Sequence, residues 1–181
     1  YAHLFIAPVE NPDETVELLK DEKFHSPVPS GGGMEEVATS CDGKKLAYCC
    51  KRETGKDFAV STNTDIFIYD LETKETINLS EDNQGYDMDP VFSPDGKKIV
   101  WWSMKTPGFE SDKKRLMIHD FTTGKTEDYS TDFDNHCENF VWSADGSKIY
   151  FLSCVEATIQ MYELNLADRS IQPITQGDHD Y

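Results

Sequence analysis

The sequence has few basic side chains. Its 181 residues carry 17 Lys and Arg against 34 Asp and Glu, which gives a formal net charge of −17 at pH 7. Nucleic acids and anionic membrane surfaces are bound through clustered Lys and Arg, whose charge neutralises phosphate. The composition therefore argues against a nucleic-acid-binding protein and against a protein held on an anionic membrane by charge.

Long hydrophobic stretches are also absent. The longest purely apolar runs, such as residues 46–50 and 99–102, hold only five and four residues, whereas about 20 apolar residues are needed to cross a bilayer as a helix. We therefore expect no membrane-spanning helix. The sequence starts at Tyr1 without a basic and apolar leader, so the N-terminus does not identify the compartment.

Cysteine and histidine show no metal-binding pattern. The five cysteines form no C-x-x-C pair, and none of the five histidines forms an i, i+4 pair. Most of the cysteines lie in or beside apolar strand-like runs. We interpret them as buried free thiols, with a disulfide and a zinc site as the alternatives, and we expect neither a metal nor another cofactor.

The sequence repeats itself three times. The shared core is Ser-x-Asp-Gly-x-Lys followed by Leu or Ile, and its Asp-Gly pairs begin at Asp42, Asp95 and Asp145, which are 53 and 50 residues apart. An apolar run with an acidic residue near its end follows each core, at residues 66–71, 116–121 and 159–164. Hydrophobic residues make up 38% of the chain, which is enough to build a core in spite of the charge.

Each repeat predicts four short antiparallel strands. The Asp-Gly pair indicates a hairpin turn, because Gly adopts the positive φ that tight turns need and Asp can hydrogen-bond its own backbone. The strands after these turns are apolar without alternation, which indicates burial on both faces. A unit of about 50 residues with four antiparallel strands is typical of a β-propeller blade.

The predicted fold is therefore all-β, a partial β-propeller of about three and a half four-stranded antiparallel blades. Residues 1–22 supply the last two strands of one blade, and complete blades occupy residues 33–80, 86–130 and 136–177. Because propellers close with roughly four to eight blades, we interpret the chain as a fragment of a larger protein. Its open blade faces predict self-association of the fragment.

Two segments carry a family resemblance. Residues 92–99, Phe-Ser-Pro-Asp-Gly-Lys-Lys-Ile, resemble the repeat shared by TolB-type propellers and by the propeller domain of serine peptidases of the prolyl oligopeptidase family. Residues 104–117 resemble the Gly-aromatic-Glu-small-Asp-basic insertion of the acylaminoacyl-peptidase and dipeptidyl-peptidase V types. In those peptidases the insertion lies between the second and third strands of a blade.

The peptidase resemblance implies an α/β-hydrolase domain whose nucleophile lies in Gly-x-Ser-x-Gly, a motif that this sequence lacks. We therefore expect a non-catalytic propeller region that gates access to a catalytic domain outside this chain and helps to recognise peptide substrates. The alternative is a TolB-like propeller that acts as a protein-interaction platform in the cell envelope. Both families favour a periplasmic or secreted location, and the residues leave a cytoplasmic one open.

The insertion holds the candidate substrate-binding residues, Phe109, Glu110 and Asp112. An exopeptidase that measures from the N-terminus must capture an ammonium group, and a carboxylate beside an aromatic wall does so through charge-assisted hydrogen bonds and cation–π attraction. We predict that Glu110 binds this group, with Phe109 beside it and Asp112 in support. The alternative is that the two carboxylates pair with the basic residues 113–115 and only fix the loop.

Overall fold

The computed structural model describes residues 1–29 and 32–181. It contains one two-stranded ribbon and three four-stranded sheets, and all strand pairs within them are antiparallel. In each four-stranded sheet the strands are hydrogen-bonded in their sequence order, which is the meander of a propeller blade. The predicted all-β partial propeller is confirmed.

The strands are numbered in chain order. The N-terminal ribbon consists of β1 (Phe5–Ile6) and β2 (Val16–Glu17). Blade A consists of β3 (Val37–Thr39), β4 (Lys45–Cys50), β5 (Asp65–Asp70) and β6 (Thr76–Asn78). Blade B consists of β7 (Asp87–Phe92), β8 (Lys98–Ser103), β9 (Arg115–Asp120) and β10 (Lys125–Asp128). Blade C consists of β11 (Glu138–Trp142), β12 (Lys148–Val155), β13 (Thr158–Asn165) and β14 (Ile171–Pro173).

The repeated Ser-x-Asp-Gly-x-Lys core builds the first hairpin of every blade. In blade B the Ser93 hydroxyl donates to Asp95 at 2.7 Å and accepts the backbone N–H of Lys98 at 2.9 Å. Gly96 has a φ of 67°, the left-handed conformation that Gly adopts without strain. Lys98 Nζ forms an ion pair with Asp120 at 3.0 Å. Asp120 is the acidic residue near the end of the apolar run 116–121, so this ion pair joins the two repeated sequence elements within blade B.

The hydrophobic core lies in three layers between successive sheets. The layer between the ribbon and blade A includes Leu19 and Tyr48, and the layer between blades A and B includes Cys49 and Trp101. Trp102 belongs to the third layer, between blades B and C. The adjacent tryptophans of β8 thus pack against opposite neighbouring blades, as the alternation of side chains along a strand requires.

Helical structure is confined to short connections. The 3-10 turns Pro12–Glu14 and Met34–Glu36 precede β2 and β3, and α1 (Gly55–Val60) lies between β4 and β5. No helix within residues 1–29 and 32–181 is long and apolar enough to cross a bilayer. All five cysteines are free.

The prediction that the cysteines are buried is wrong for two of them. Cys49, Cys50 and Cys137 are buried, whereas Cys41 and Cys154 are exposed. Cys41 lies in the solvent-facing Asp-Gly turn. Cys154 lies on β12 and pairs with Ile159 of β13, on a face of blade C that no described sheet covers. Val141 of β11 in blade C is also 60% exposed. Self-association of the fragment through an uncovered blade face stays a prediction.

Candidate functional site

The candidate loop connects β8 to β9, and Asp112 holds it closed. One carboxylate oxygen of Asp112 accepts the backbone N–H groups of Lys105 at 3.0 Å and Thr106 at 2.6 Å, and the other accepts that of Lys113 at 2.8 Å. Partial burial alone would raise the pKa of Asp112, but the hydrogen bonds outweigh it and lower the pKa below its usual value. Asp112 therefore fixes the loop through the backbone.

The basic residues that follow the loop bind elsewhere. Lys113 Nζ donates to the carbonyl of Ser130 at 2.7 Å, and Lys114 Nζ pairs with Glu138 at 2.5 Å. Arg115 donates to the Ser103 hydroxyl at 2.8 Å. Within the described residues, neither Glu110 nor Asp112 forms an ion pair with these three side chains. Charge pairing with residues 113–115 is thus not what fixes the loop.

A contact between two blades docks the loop. Gly108, which has a φ of 73°, donates its backbone N–H to the hydroxyl of Thr62 at 2.9 Å. Thr62 is 5% exposed and follows α1 in the connection between β4 and β5. The loop of blade B is therefore seated on blade A, and Glu110 lies two residues from the point of contact.

Glu110 borders a cavity of about 540 Å³ between blades A and B. Aromatic side chains from three elements line the cavity with it: Phe58 of α1, Tyr86 before β7 and Trp102 of β8. Glu110 is exposed at its rim. Burial, followed by the charge of Glu110 and a hydrogen bond to it, raises the pKa of Tyr86. The carboxylate and the phenol are thus neighbours.

Phe109 has a different environment from the one predicted. Its side chain is 52% exposed, and it is not among the residues that line the cavity. The aromatic wall beside Glu110 is instead made by residues far away in sequence. The structure thus brings Glu110 to a cavity, uses Asp112 to close the loop and leaves Phe109 at the surface.

A second carboxylic acid lines the same cavity, and the sequence did not identify it. Glu36 ends the 3-10 turn before β3 and is fully buried. Its Oε2 accepts the backbone N–H of Val28 at 2.7 Å. Burial, reinforced by the charges of Asp89 and Glu35, raises the pKa of Glu36 to about 7 against the opposing effect of the Val28 hydrogen bond. Aligning the repeats could have identified this residue, because Glu36 lies four positions before the motif serine.

The acidic side chains around β7 are hydrogen-bonded within blade B. Asp87 accepts from Asn83 Nδ2 at 2.7 Å and from the Trp101 indole at 2.6 Å. Burial, opposed by these bonds, raises the pKa of Asp87 to about 7. Among the residues that the structure describes, no group of three or more His, Cys, Asp and Glu side chains could hold a metal ion.

Several curated proteins are similar in sequence to this chain, and two of them are described here by their identity and coverage. Dipeptidyl-peptidase 5 of Porphyromonas gingivalis is 42% identical over 165 residues, which are 91% of this chain and 24% of that protein. Dipeptidyl-peptidase 5 of Porphyromonas endodontalis is 42% identical over a match that covers 99% of this chain and 26% of that protein. The chain thus spans about a quarter of the length of these relatives. No protein-family model matches it.

Comparison with solved structures supports the fold. The crystal structure of TolB from Acinetobacter baumannii superposes with a TM-score of 0.61 at 21% sequence identity, and the match covers 96% of this chain and 37% of TolB. Identity at this level is evidence of a shared architecture and not of a shared function.

Proposed function

The chain belongs to the prolyl oligopeptidase family and matches the propeller region of the dipeptidyl-peptidase 5 type, and from this premise we propose that it is the non-catalytic region of a serine exopeptidase. In this proposal the whole protein cleaves short peptides, and the propeller limits access to the catalytic domain and contributes residues that recognise the substrate. The catalytic nucleophile belongs to a part of the protein outside these 181 residues.

The observation that carries the proposal is the position of Glu110. Its carboxylate is exposed at the rim of the cavity between blades A and B, beside the Tyr86 ring. No described cation lies within ion-pair distance of it. A carboxylate held on a docked loop next to aromatic rings can bind an ammonium group with little reorganisation.

The geometry of the loop supports a recognition role. Asp112 closes the loop through three backbone hydrogen bonds, and Thr62 anchors it at Gly108. Both contacts restrict where Glu110 can lie, and a charge that is fixed before binding gives more affinity than a mobile one. In our proposal, Asp112 and Thr62 are positioning residues and Glu110 is the binding residue.

The alternative of a TolB-like interaction platform has weaker support. The likeness to TolB concerns architecture at 21% identity, whereas the dipeptidyl-peptidase 5 relatives are 42% identical over nearly the whole chain. The loop that distinguishes the peptidase resemblance is also the one that reaches the cavity. We therefore favour the peptidase.

The test is Glu110→Gln in the full-length enzyme. Loss of a charge-assisted hydrogen bond of about 1.5 to 3 kcal/mol predicts a roughly 10- to 150-fold fall in kcat/KM for dipeptidyl substrates with a free N-terminus. The fall is expected in KM, with kcat and folding retained. Steady-state kinetics on free-amine substrates and on their N-acylated counterparts measures it.

A matched control is Glu81→Gln, which neutralises an exposed carboxylate that does not line the cavity. This variant should behave as the wild type. If Glu110→Gln leaves kcat/KM unchanged for free-amine substrates, the loop has no role in capturing the N-terminus.

A further inference from the structure

Arg115 is a half-buried cation without a carboxylate partner. It begins β9 and lies opposite Ser103 of β8 in the sheet of blade B. Among residues 1–29 and 32–181, no carboxylate lies within ion-pair distance of its guanidinium group. Charges that are withdrawn from water are normally paired, and this chain has 34 acidic residues against 17 basic ones. A half-buried arginine with only neutral partners is therefore a place where a bound anion would be favourable.

Hydrogen bonds to neutral acceptors fix one side of the guanidinium group. Nε donates to the Ser103 carbonyl at 3.3 Å, and Nη2 donates to the Ser103 hydroxyl at 2.8 Å and to the Asn83 amide oxygen at 3.5 Å. Nη1 donates to no group within the described residues, and it retains accessible surface. The guanidinium group is thus held in place by its own blade while one nitrogen stays open to a ligand, an arrangement that needs little reorganisation on binding.

Arg115 lines a second cavity, of about 570 Å³, which we call the Arg115 cavity. Its wall includes residues 78–84, which end β6 and lead towards β7, and the start of the loop between β8 and β9. Lys105 of that loop is exposed and adds a second positive charge, and Pro107 and Met117 add apolar surface. The same loop contributes Glu110 to the cavity described above. One loop therefore borders an acidic rim in one cavity and a basic wall in the other.

Three acidic residues also line the Arg115 cavity, but none of them pairs with Arg115. Glu81 and Asp82 are exposed, where water and salt screen their charges. Asp87 is buried and accepts the Trp101 indole at 2.6 Å and the Asn83 amide at 2.7 Å. The positive charge of Arg115 is thus not neutralised by the wall of its own cavity.

We propose that the Arg115 cavity binds a carboxylate group of a peptide. Nη1 of Arg115 would donate to the carboxylate, and Lys105 would support it from the edge of the cavity. The carboxylate can belong to an acidic side chain or to the C-terminal end of a peptide, because both present the same pair of acceptor oxygens.

The test measures the binding of small probes to the full-length protein at pH 7 by titration calorimetry. The α-amide of N-acetyl-glutamate carries a side-chain carboxylate, and N-acetyl-glutaminamide is its neutral counterpart. N-acetyl-alanine carries a chain-terminal carboxylate, and N-acetyl-alaninamide is its neutral counterpart. A charge-assisted hydrogen bond from Arg115 predicts that at least one charged probe binds about 10- to 150-fold more tightly than its counterpart. Arg115→Gln should abolish this preference.

Two further variants serve as comparisons. Arg115→Lys keeps the positive charge, but an ammonium group cannot hold Ser103 and the ligand with separate edges, so the preference should fall about 5-fold. Arg169→Gln is the matched control, because Arg169 already pairs with Glu127 at 2.9 Å and does not line the Arg115 cavity. This control should keep the full preference.

Two results would overturn the proposal. One is that the wild-type protein binds each charged probe no more tightly than its neutral counterpart. The other is an unchanged preference in a folded Arg115→Gln, or in Arg115→Lys if Arg115→Gln does not fold. The charged probe with the larger preference identifies the source of the carboxylate, side chain or chain end, and either source supports the site.

This inference stands apart from the proposed peptidase role. All four probes are acetylated and lack the α-ammonium that Glu110 is proposed to bind, and their binding is measured without turnover. The kinetics of Glu110→Gln on free-amine substrates can therefore fail while the probes still discriminate, and the reverse also holds.

Discussion

Blades A and B follow the same repeat but satisfy their buried acids differently. In blade B the indoles of Trp101 and Trp102 donate to Asp87 and Asp89 at 2.6 and 2.5 Å. At the positions of the two tryptophans, blade A has Tyr48 and Cys49. The acid that corresponds to Asp89 is Glu36, and one of its carboxylate oxygens has no hydrogen-bond partner among residues 1–29 and 32–181.

The difference shows that two blades can share a strand framework and yet differ in how they satisfy the acid before it. Both blades carry the Ser-x-Asp-Gly-x-Lys hairpin and contribute to the core, so the strand framework does not depend on the acid before it. Blade B uses its acids to bind its own indoles. In blade A the indole is missing, and the corresponding acid lines a cavity instead.

The largest effect expected from this comparison is the pH dependence of stability at Glu36. Its pKa rises from 4.5 to about 7 on folding. Between these values the folded protein binds a proton that the unfolded chain does not, so the wild type loses stability as the pH rises through this window. A shift of this size corresponds to about 3 kcal/mol. Glu36→Gln should therefore gain about 3 kcal/mol over the wild type between pH 4.5 and 8.

Urea denaturation of both proteins at the two pH values measures this gain, because other titrating groups are shared and cancel. Glu35→Gln is the matched control, since Glu35 is the exposed neighbour of Glu36 in the same turn. It should show a much smaller pH-dependent difference. If the difference in the free energy of unfolding between the wild type and Glu36→Gln is the same across the pH range, Glu36 does not distinguish blade A from blade B.

The next effect comes from blade B. Trp102→Phe keeps an aromatic ring in the core but removes the N–H that Asp89 accepts, which leaves a half-buried carboxyl group without its donor. We expect a loss of roughly 2 kcal/mol in the free energy of unfolding. Cys49→Ala, the corresponding change in blade A, removes no indole donor and should cost about 1 kcal/mol. Equal losses in urea denaturation would mean that the indole–carboxylate bond is not what distinguishes blade B.

The sequence predicted the framework because the repeat encodes it locally. Ser93, Asp95, Gly96 and Lys98 form their hairpin within six residues, so the pattern is complete in the sequence. The alternation that sends Trp101 and Trp102 to opposite neighbours is equally local. Glu110 was identified because the inserted loop has a sequence more specific than a turn requires.

The cavity could not be predicted, because it is made by contacts between blades. Gly108 meets Thr62 across 46 residues of sequence, and the aromatic wall comes from Phe58, Tyr86 and Trp102 on three different elements. Phe109 was predicted to form that wall because it adjoins Glu110 in sequence. Adjacency along a loop does not determine which way two side chains point.

The smallest expected effect tests whether blade A positions the loop of blade B. Thr62→Val keeps the shape of the side chain and removes the oxygen that accepts the Gly108 N–H. A net hydrogen bond of about 1 kcal/mol predicts a roughly 5-fold rise in KM for substrates with a free N-terminus. Because Thr62 acts through the position of Glu110, kcat and the kinetics on N-acylated substrates should not change. Thr62→Ser restores the hydroxyl and should return KM to the wild-type value, whereas a general weakening of the fold would lower kcat and activity on both substrate classes. If Thr62→Val and Thr62→Ser give the same KM, the two blades meet at this point without any influence on recognition.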